Sequence, residues 1–257
     1  MADYRFIEYS SAGGLATIAI SRPPYNVLDI PTMEELNRAL DVVVDDGSAR
    51  LLLFTGVGDK AFSAGVEVAD HTPDKVARML EVFHGIFRRL HKMPLPVVAA
   101  LNGVALGGGC ELALACDMIV AAAHAKLGQP EIKLGVFPPV AAVLVPRLMP
   151  VAKAMEFLLG GANMSMEEAE RLGVVNKVFA KDEFAAGVHA FLESYLSLSR
   201  PALLYCKQAI RQAQGKSFVA ALSGAEEVYL KQLMPTDDAM EGLAAFMEKR
   251  KPVWRHQ

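Results

Sequence analysis

The chain has 257 residues, a formal net charge of −3, and a composition that is 53% hydrophobic and 21% charged. This balance supplies material for an apolar core and excludes wholesale disorder, and the near-neutral charge provides no basic surface for nucleic acid or an anionic membrane. Cys110, Cys116 and Cys206 lack disulfide or metal spacing, and no signal peptide or membrane-spanning run is apparent, so we expect a soluble cytoplasmic protein.

Up to about residue 122 the chain alternates strand and helix patterns. Apolar runs that end near glycine or proline predict buried strands at residues 15–21, 51–57, 97–102 and 118–122. Apolar residues three or four positions apart predict helices at residues 31–46 and 73–93. A short segment that follows a glycine turn predicts a further helix at residues 110–116. Strands that alternate with helices favour crossover connections on a parallel sheet, so the predicted fold class is α/β.

From about residue 140 the pattern becomes mainly helical. Ser165 and Glu168 form a capping box at the start of one predicted helix. The predicted helices cover residues 166–172, 182–198, 201–214, 218–234 and 237–251. We therefore expect a core of repeated ββα or βα units over residues 1–198. A helical region over 199–257 is expected to dock on its own core, on a neighbouring subunit, or on both.

The densest chemical signal is the glycine-rich segment at residues 102–111, NGVALGGGCE. Glycines after a strand let the backbone approach a ligand, and the N-terminus of the following helix directs free N–H groups at an anion or a developing oxyanion. Leu112 stands where a dinucleotide-binding fingerprint requires its third glycine, and the Lys-Ser/Thr ending of a phosphate loop is missing. Close packing of a helix on a strand explains the glycines equally well from spacing alone.

Two further segments follow predicted strands or turns: AFSAGVE at residues 61–67 and GQPEIKLG at residues 128–135. Turns after parallel strands lie at the carboxyl edge of the sheet, where open α/β sheets bind ligands. Glu111 and Glu131 are therefore candidates to face one another across a cleft. Paired carboxyl groups with different pKa values can run acid and base steps together, although an average glutamate is a solvated surface charge.

In several blocks the chain resembles the crotonase (enoyl-CoA hydratase/isomerase) superfamily. The blocks are AFSAGVEV, PVVAALNGVALGGGCELALACD, KLGQPEIKLGVFP, AERLGVVNKV and AFMEKRKP, in the order and spacing of the family. The resemblance implies a ββα spiral core and a helical C-terminal trimerisation region, with assembly as a homotrimer or as a hexamer of two trimers. It also implies an acyl-CoA thioester substrate, an enolate-like intermediate, no metal, and no cofactor apart from the CoA of the substrate.

Carried over residue by residue, the resemblance assigns an oxyanion hole to the backbone N–H groups of Val66 and Gly108. It assigns the acid/base pair to Glu111 and Glu131, and the presence of both favours addition or elimination of water. The helix N-terminus favours an ionised Glu111, which makes Glu131 the candidate for the protonated partner. Coupling between the two groups leaves this order open.

The resemblance further places the CoA moiety against Ala64, Val66, Phe246 and Lys249. Phe246 and Lys249 belong to the C-terminal helix, which in this family often reaches the CoA of a neighbouring subunit. A solvated basic helix end is the alternative for Lys249. Within the predicted helix at residues 73–93, Phe83 and Phe87 are interpreted as core or as a wall of the acyl pocket.

Two segments differ from the usual hydratase sequence, and they point to one group of enzymes within the family. Residues 138–148, PPVAAVLVPRL, replace a usual glycine-rich run and predict a rigid apolar wall beside the acyl pocket. Residues 22–29 are one residue shorter than usual, with Pro24 where a CoA-contacting lysine is often found. Both features resemble the cyclohexa-1,5-diene-1-carbonyl-CoA hydratases of anaerobic benzoyl-CoA degradation, which form 6-hydroxycyclohex-1-ene-1-carbonyl-CoA.

Two alternatives stay open. The first is a general 2-enoyl-CoA hydratase that acts on linear acyl chains. The second is a non-catalytic module that binds acyl-CoA or RNA. A scaffold that only binds acyl-CoA does not need paired carboxyl groups, and the net charge of −3 speaks against RNA.

Overall fold

The computed structural model describes residues 4–257. The chain divides into two compact units, one comprising residues through Met93 together with Val97–His189, the other comprising Pro94–Pro96 and Ala190–Gln257. The division falls within a helix at Phe184–Leu196, whereas the sequence placed the boundary at residues 198–199.

Two sheets organise the first unit. Its strands are β1 (Ile7–Ala12), β2 (Leu15–Ile20), β3 (Leu51–Gly56), β4 (Ala61–Ser63), β5 (Val97–Leu101), β6 (Val104–Leu106), β7 (Met118–Ala122), β8 (Lys126–Gly128), β9 (Asn163–Ser165) and β10 (Lys177–Phe179). One sheet has the order β1-β2-β3-β5-β7-β10 and the other β4-β6-β8-β9. The strands of each sheet pair in parallel except β1 with β2 and β8 with β9.

From β3 to β8, consecutive strands belong alternately to the two sheets. β3, β5 and β7 belong to one sheet, and the strand that follows each of them belongs to the other. A helical segment then returns the chain for the next pair, which is the ββα spiral that the resemblance implied. The α/β class and the helical C-terminal region are likewise confirmed.

The helices of the first unit surround these sheets. They are α1 (Ile30–Asp45), α2 (Val76–Lys92), α3 (Gly108–Leu114), α4 (Pro139–Leu148), α5 (Val151–Gly160) and α6 (Met166–Arg171), followed by α7 (Phe184–Leu196), which runs into the second unit. The second unit contains α8 (Arg200–Ala213), α9 (Phe218–Val228), a π-helical turn at Tyr229–Leu233, and α10 (Asp237–Met247). None of the helices in residues 4–257 is long and apolar enough to cross a membrane.

Local signals explain where these helices begin. Asp29 caps α1 by accepting a 3.0 Å hydrogen bond from the Thr32 N–H, and Pro31 occupies the first turn, where the absence of an N–H costs little. Ser165 caps α6 by accepting from the Glu168 N–H at 3.2 Å, which is one half of the predicted capping box. The predicted helix at residues 73–93 begins later, at Val76, with its apolar stripe buried.

Candidate active site

The first backbone loop of the site follows β4 and is centred on Val66. Leu28 pairs with Val66 in a parallel bridge. The two hydrogen bonds of this bridge use the Gly65 carbonyl, at 2.9 Å, and the Glu67 N–H, at 3.0 Å. The Val66 N–H takes no part in the pairing, while its neighbours hold the loop on both sides. It is therefore placed to donate to a ligand.

The second backbone loop is the glycine turn that begins α3. Gly107 is the N-cap, with φ of +51°, and Gly108 is the first helical residue. N–H groups in the first turn of a helix lack acceptors within the helix, so the Gly108 N–H is available to a ligand. A Cβ added to Gly65 would lie 2.8 Å from the Leu106 carbonyl oxygen and 3.4 Å from the Gly108 nitrogen. Glycine at this position lets the two loops touch, and it brings the two predicted oxyanion donors together.

Glu111 lies in the first turn of α3 and is 2% exposed. Its Oε1 accepts a 2.8 Å hydrogen bond from the Ala141 N–H at the N-terminus of α4. Pro139 is the first residue of that helix, and the N–H groups that follow it point at the carboxyl group. Burial raises the pKa of Glu111 to about 7, although the N–H groups of Ala141 and Val140 act in the opposite direction.

Glu131 lies on a 3₁₀ helix at Pro130–Leu134, and its carboxyl group approaches the same turn. A Cβ on Gly107 would lie 2.6 Å from its Oε1. The buried amide of Gln129, with its nitrogen turned toward the carboxyl group, donates to Oε1 at 3.2 Å and Oε2 at 3.0 Å. Burial raises the pKa of Glu131, and its own backbone N–H and the positive charge of His71 oppose that shift.

The two carboxyl groups act on one another. The charge of Glu131 raises the pKa of Glu111 further, in addition to burial. The sequence predicted that the N-terminus of α3 keeps Glu111 ionised, but burial outweighs that effect because almost no water reaches the side chain. With the pKa values of both groups raised, the proton is best described as belonging to the pair.

An apolar surface covers the neighbouring side of the glycine turn. A Cβ on Gly108 would lie 2.6 Å from Cγ2 of Val66 and 2.8 Å from Cζ of Phe83 on α2. Phe83 is 3% exposed, and its ring meets the Phe87 ring edge to face with centroids 4.8 Å apart. Phe83 is therefore a core residue that also contacts the candidate oxyanion residue.

The predicted apolar wall at residues 138–148 forms α4. Ala141 and Val145 are buried, whereas Val143 is 55% exposed in the single chain. This segment acts on the site through its N-terminus, where Ala141 binds Glu111. Proline before an apolar run is a signal for the first turn of a helix, and it would have identified the Ala141 N–H from the sequence. The sequence offered no comparable signal for Gln129.

Among the other predicted site residues, Ala64 lies on the Val66 loop, where its N–H donates to the Tyr25 carbonyl at 2.8 Å. Phe246 and Lys249 belong to the second unit. Phe246 lies on α10 and is 84% exposed, and Lys249 follows the helix with a positive φ of 56°. Residues 4–257 contain no cluster of three or more His, Cys, Asp or Glu side chains placed to hold a metal ion.

The fold and the site define an α/β enzyme in which the buried carboxyl group of Glu111 and the half-buried carboxyl group of Glu131 lie at one glycine turn, with two candidate N–H donors beside them. Residues 10–257 match the enoyl-CoA hydratase/isomerase family, and the chain belongs to that family.

The named relatives align with most of the length of this chain. A cyclohexa-1,5-dienecarbonyl-CoA hydratase of Thauera aromatica is 36% identical over 95% of this chain and 94% of its own. A crotonyl-CoA hydratase of Syntrophomonas wolfei subsp. wolfei is 37% identical over 92% of this chain and 93% of its own. The crystal structure of an enoyl-CoA hydratase from Bacillus anthracis superimposes with a TM-score of 0.94 at 30% identity, covering 98% of this chain and all of the other.

Proposed function

We propose that this enoyl-CoA hydratase, a hydro-lyase, adds water to a cyclic conjugated dienoyl-CoA and converts cyclohexa-1,5-diene-1-carbonyl-CoA into 6-hydroxycyclohex-1-ene-1-carbonyl-CoA. The observation that carries the chemistry is that Glu111, in the first turn of α3, and Glu131, whose Oε1 approaches the N-cap Gly107, both lie at the turn that also presents the Gly108 N–H. Addition of water needs one group to accept a proton and another to give one, next to donors that stabilise an enolate.

The ionised carboxyl group of the pair takes a proton from a water molecule as the water oxygen bonds to the β-carbon of the unsaturated thioester. The electron pair of the double bond moves toward the thioester oxygen, where the N–H groups of Val66 and Gly108 stabilise the negative charge. In the ring diene this charge extends across the second double bond. The protonated carboxyl group then gives its proton to the far end of that bond. The pair ends with as many protons as it had at the start.

Two observations support the cyclic substrate over a linear one. The relative from Thauera aromatica carries the ring-diene name at 36% identity over nearly the whole chain. The ring of Phe83 and the side chain of Val66 also make the surface beside Gly108 apolar and closely packed, which suits a flat six-membered ring. The corresponding metabolic setting would be anaerobic degradation of aromatic compounds.

The remaining parts of the substrate and the assembly belong to the same proposal. Ala64 and Val66 would contact the CoA moiety from the first loop. Phe246 on α10 and Lys249, which follows that helix, would contact a CoA moiety, which in this family is often that of a neighbouring subunit. The CoA is part of the substrate, and the reaction uses no other cofactor. We propose a homotrimer, or a hexamer of two trimers, that works in the cytoplasm.

A general 2-enoyl-CoA hydratase is the second candidate, and the relative from Syntrophomonas wolfei favours it at 37% identity. The two candidates share the fold, both glutamates and the oxyanion donors, and they differ only in the acyl group.

A side-by-side assay separates them. Purified enzyme is given crotonyl-CoA and cyclohexa-1,5-diene-1-carbonyl-CoA at equal concentrations, and the products are resolved by chromatography and mass. The proposal predicts a higher kcat/KM for the ring diene. A higher value for crotonyl-CoA would replace it with the general hydratase, and no hydration of either thioester would contradict both.

A further inference from the structure

We propose that Phe83 is the specificity-determining residue of the acyl site and that, together with Val66, it restricts the site to compact acyl groups. This assignment rests on the proposed function and concerns the length of the acyl group rather than the chemistry. It starts from the two neighbouring glycines of the turn. Gly107 faces the carboxyl group of Glu131, and Gly108 faces the side chains of Val66 and Phe83.

The contact with Gly108 places Phe83 near the reacting end of the acyl group. A Cβ on Gly108 would lie 2.8 Å from Cζ and 3.3 Å from Cε2 of Phe83, so the tip of the ring is in contact with this glycine. A thioester oxygen that accepts from the Gly108 N–H lies about 3 Å from that nitrogen. The carbons that follow the thioester carbonyl are then confined between the carboxyl pair and the apolar surface of Phe83 and Val66.

The ring is held in place from behind. Phe87 supports it edge to face, with an angle of 85° between the ring planes. The backbone next to Phe83 is tied to α1, because Asn37 donates from Nδ2 to the Val82 carbonyl at 2.9 Å. Two residues beyond Phe87, Arg89 on the same helix makes hydrogen bonds of 2.7 and 2.9 Å to the Asp41 carboxylate. A buried aromatic ring with this support does not swing aside easily to admit a longer chain.

These contacts indicate the class of acyl group that the site accepts. A short chain or a flat ring fits in the space that the Phe83 ring leaves, whereas each additional methylene of a linear chain competes with the ring for space. Enzymes commonly discriminate one methylene in an apolar pocket by about 10- to 200-fold. Phe83 therefore selects against extended linear acyl chains, whichever compact substrate the enzyme prefers.

The test compares the wild type with Phe83→Ala and Phe83→Leu, using crotonyl-CoA and trans-2-octenoyl-CoA. The measured quantity is the ratio of kcat/KM for octenoyl-CoA to that for crotonyl-CoA. We expect the ratio to rise about tenfold or more in Phe83→Ala and by an intermediate amount in Phe83→Leu. Leu90→Val is the matched control, because it removes buried apolar volume from the same helix but neither the Phe83 ring nor the Phe87 ring that supports it.

An unchanged ratio in folded Phe83→Leu overturns the assignment and leaves the proposed function standing. An equal rise in Leu90→Val also overturns it, because the effect would then come from general loosening of α2. A wild type that hydrates neither thioester nor the ring diene overturns the proposed function, and the assignment falls with it. Thermal melting curves establish that each variant is folded, and Phe83→Leu keeps the test decisive if Phe83→Ala does not fold.

Discussion

Glu111 and Glu131 reach the same glycine turn from two regions that are built differently. The region around Glu111 consists of two helices, and the partner of its carboxyl group is a backbone N–H of α4. The region around Glu131 is a 3₁₀ turn, where the side chains of Gln129 and His71 act on the carboxyl group. The backbone fixes the first environment, whereas exchangeable side chains tune the second.

This difference shows how one site can hold two carboxyl groups with raised pKa values and still distinguish them. Burial dominates at both positions. At Glu111 a substitution in α4 leaves the N–H donor in place unless it introduces proline, so this environment resists change. At Glu131 single substitutions remove a donor or a charge. Substitutions near Glu131 are therefore expected to change the pKa of its carboxyl group more readily than substitutions in α4 change that of Glu111.

The largest effect is expected when either carboxyl group is removed. Glu111→Gln and Glu131→Gln should each lower hydration by about 10²- to 10⁴-fold, because general acid–base catalysis typically contributes that much. Binding of CoA should change little, and thermal melting should show that each variant is folded. Glu34→Gln, at a surface ion pair with Arg78, is the matched control and should keep wild-type turnover. Wild-type turnover by either active-site variant would refute the carboxyl pair.

The next largest effect concerns the oxyanion donor. Gly108→Ala places a Cβ 2.6 Å from Val66 Cγ2 and 2.8 Å from Phe83 Cζ, so the turn must shift and carry the N–H with it. Loss of one such donor typically costs about 10²- to 10³-fold in kcat. Gly224→Ala on α9 is the control, since its Cβ would meet nothing within 4 Å. Equal kcat in the two variants would rule out a role for Gly108.

The burial of Glu111 also predicts how stability depends on pH. The native state raises its pKa from 4.5 to about 7, so it binds the proton more tightly than the unfolded chain does. The free energy of unfolding should therefore fall as the pH rises from about 4.5 to 7, by on the order of 3 kcal/mol from this group. Denaturant unfolding at pH 4.5 and pH 8 measures the change.

Glu111→Gln is the matched variant for this measurement. Its stability should vary less between the two pH values, because the amide does not titrate. The same pH dependence in the variant and the wild type would show that burial of Glu111 is not its source.

The smallest effect is expected from the support of Glu131. Gln129→Met removes the amide that donates to the carboxylate and keeps the length of the side chain. The pKa of Glu131 should rise, and kcat/KM should fall by about tenfold, the approximate value of one hydrogen bond to a charged group. The acidic limb of the pH profile of kcat/KM should move to higher pH. A limb that stays in place would assign Gln129 a structural role only.

The sequence predicted most of the longer elements of the fold, because their signals are local. The buried faces of α1 and α2 follow the three-to-four spacing, and Asp29 and Ser165 are helix caps that can be read from the sequence. Strand β1 and the helices α4 and α5 were missed. So were the short strands β4, β6, β8, β9 and β10. Each is only three residues long, and pairing with strands distant in the sequence stabilises it.

The same distinction, between signals within one segment and contacts between segments far apart in the sequence, applies to the site. The glycine turn and the two glutamates could be singled out from the sequence because they lie in the segments that resemble the family. Burial of Glu111, the contact of Phe83 with Gly108 and the amide of Gln129 could not, because each depends on segments that meet only in the folded chain. The pKa of Glu111, which the helix N-terminus alone would lower, is raised for the same reason.

The pH dependence of kcat/KM for hydration tests the shared proton of Glu111 and Glu131 most directly. Catalysis requires one ionised and one protonated carboxyl group, so the wild-type profile should be bell-shaped, with activity lost when both groups are protonated and again when both are ionised. Residual activity of Glu111→Gln and of Glu131→Gln should lack that bell. A wild-type profile that is flat across both limbs, or a bell that survives in both variants, would contradict the account.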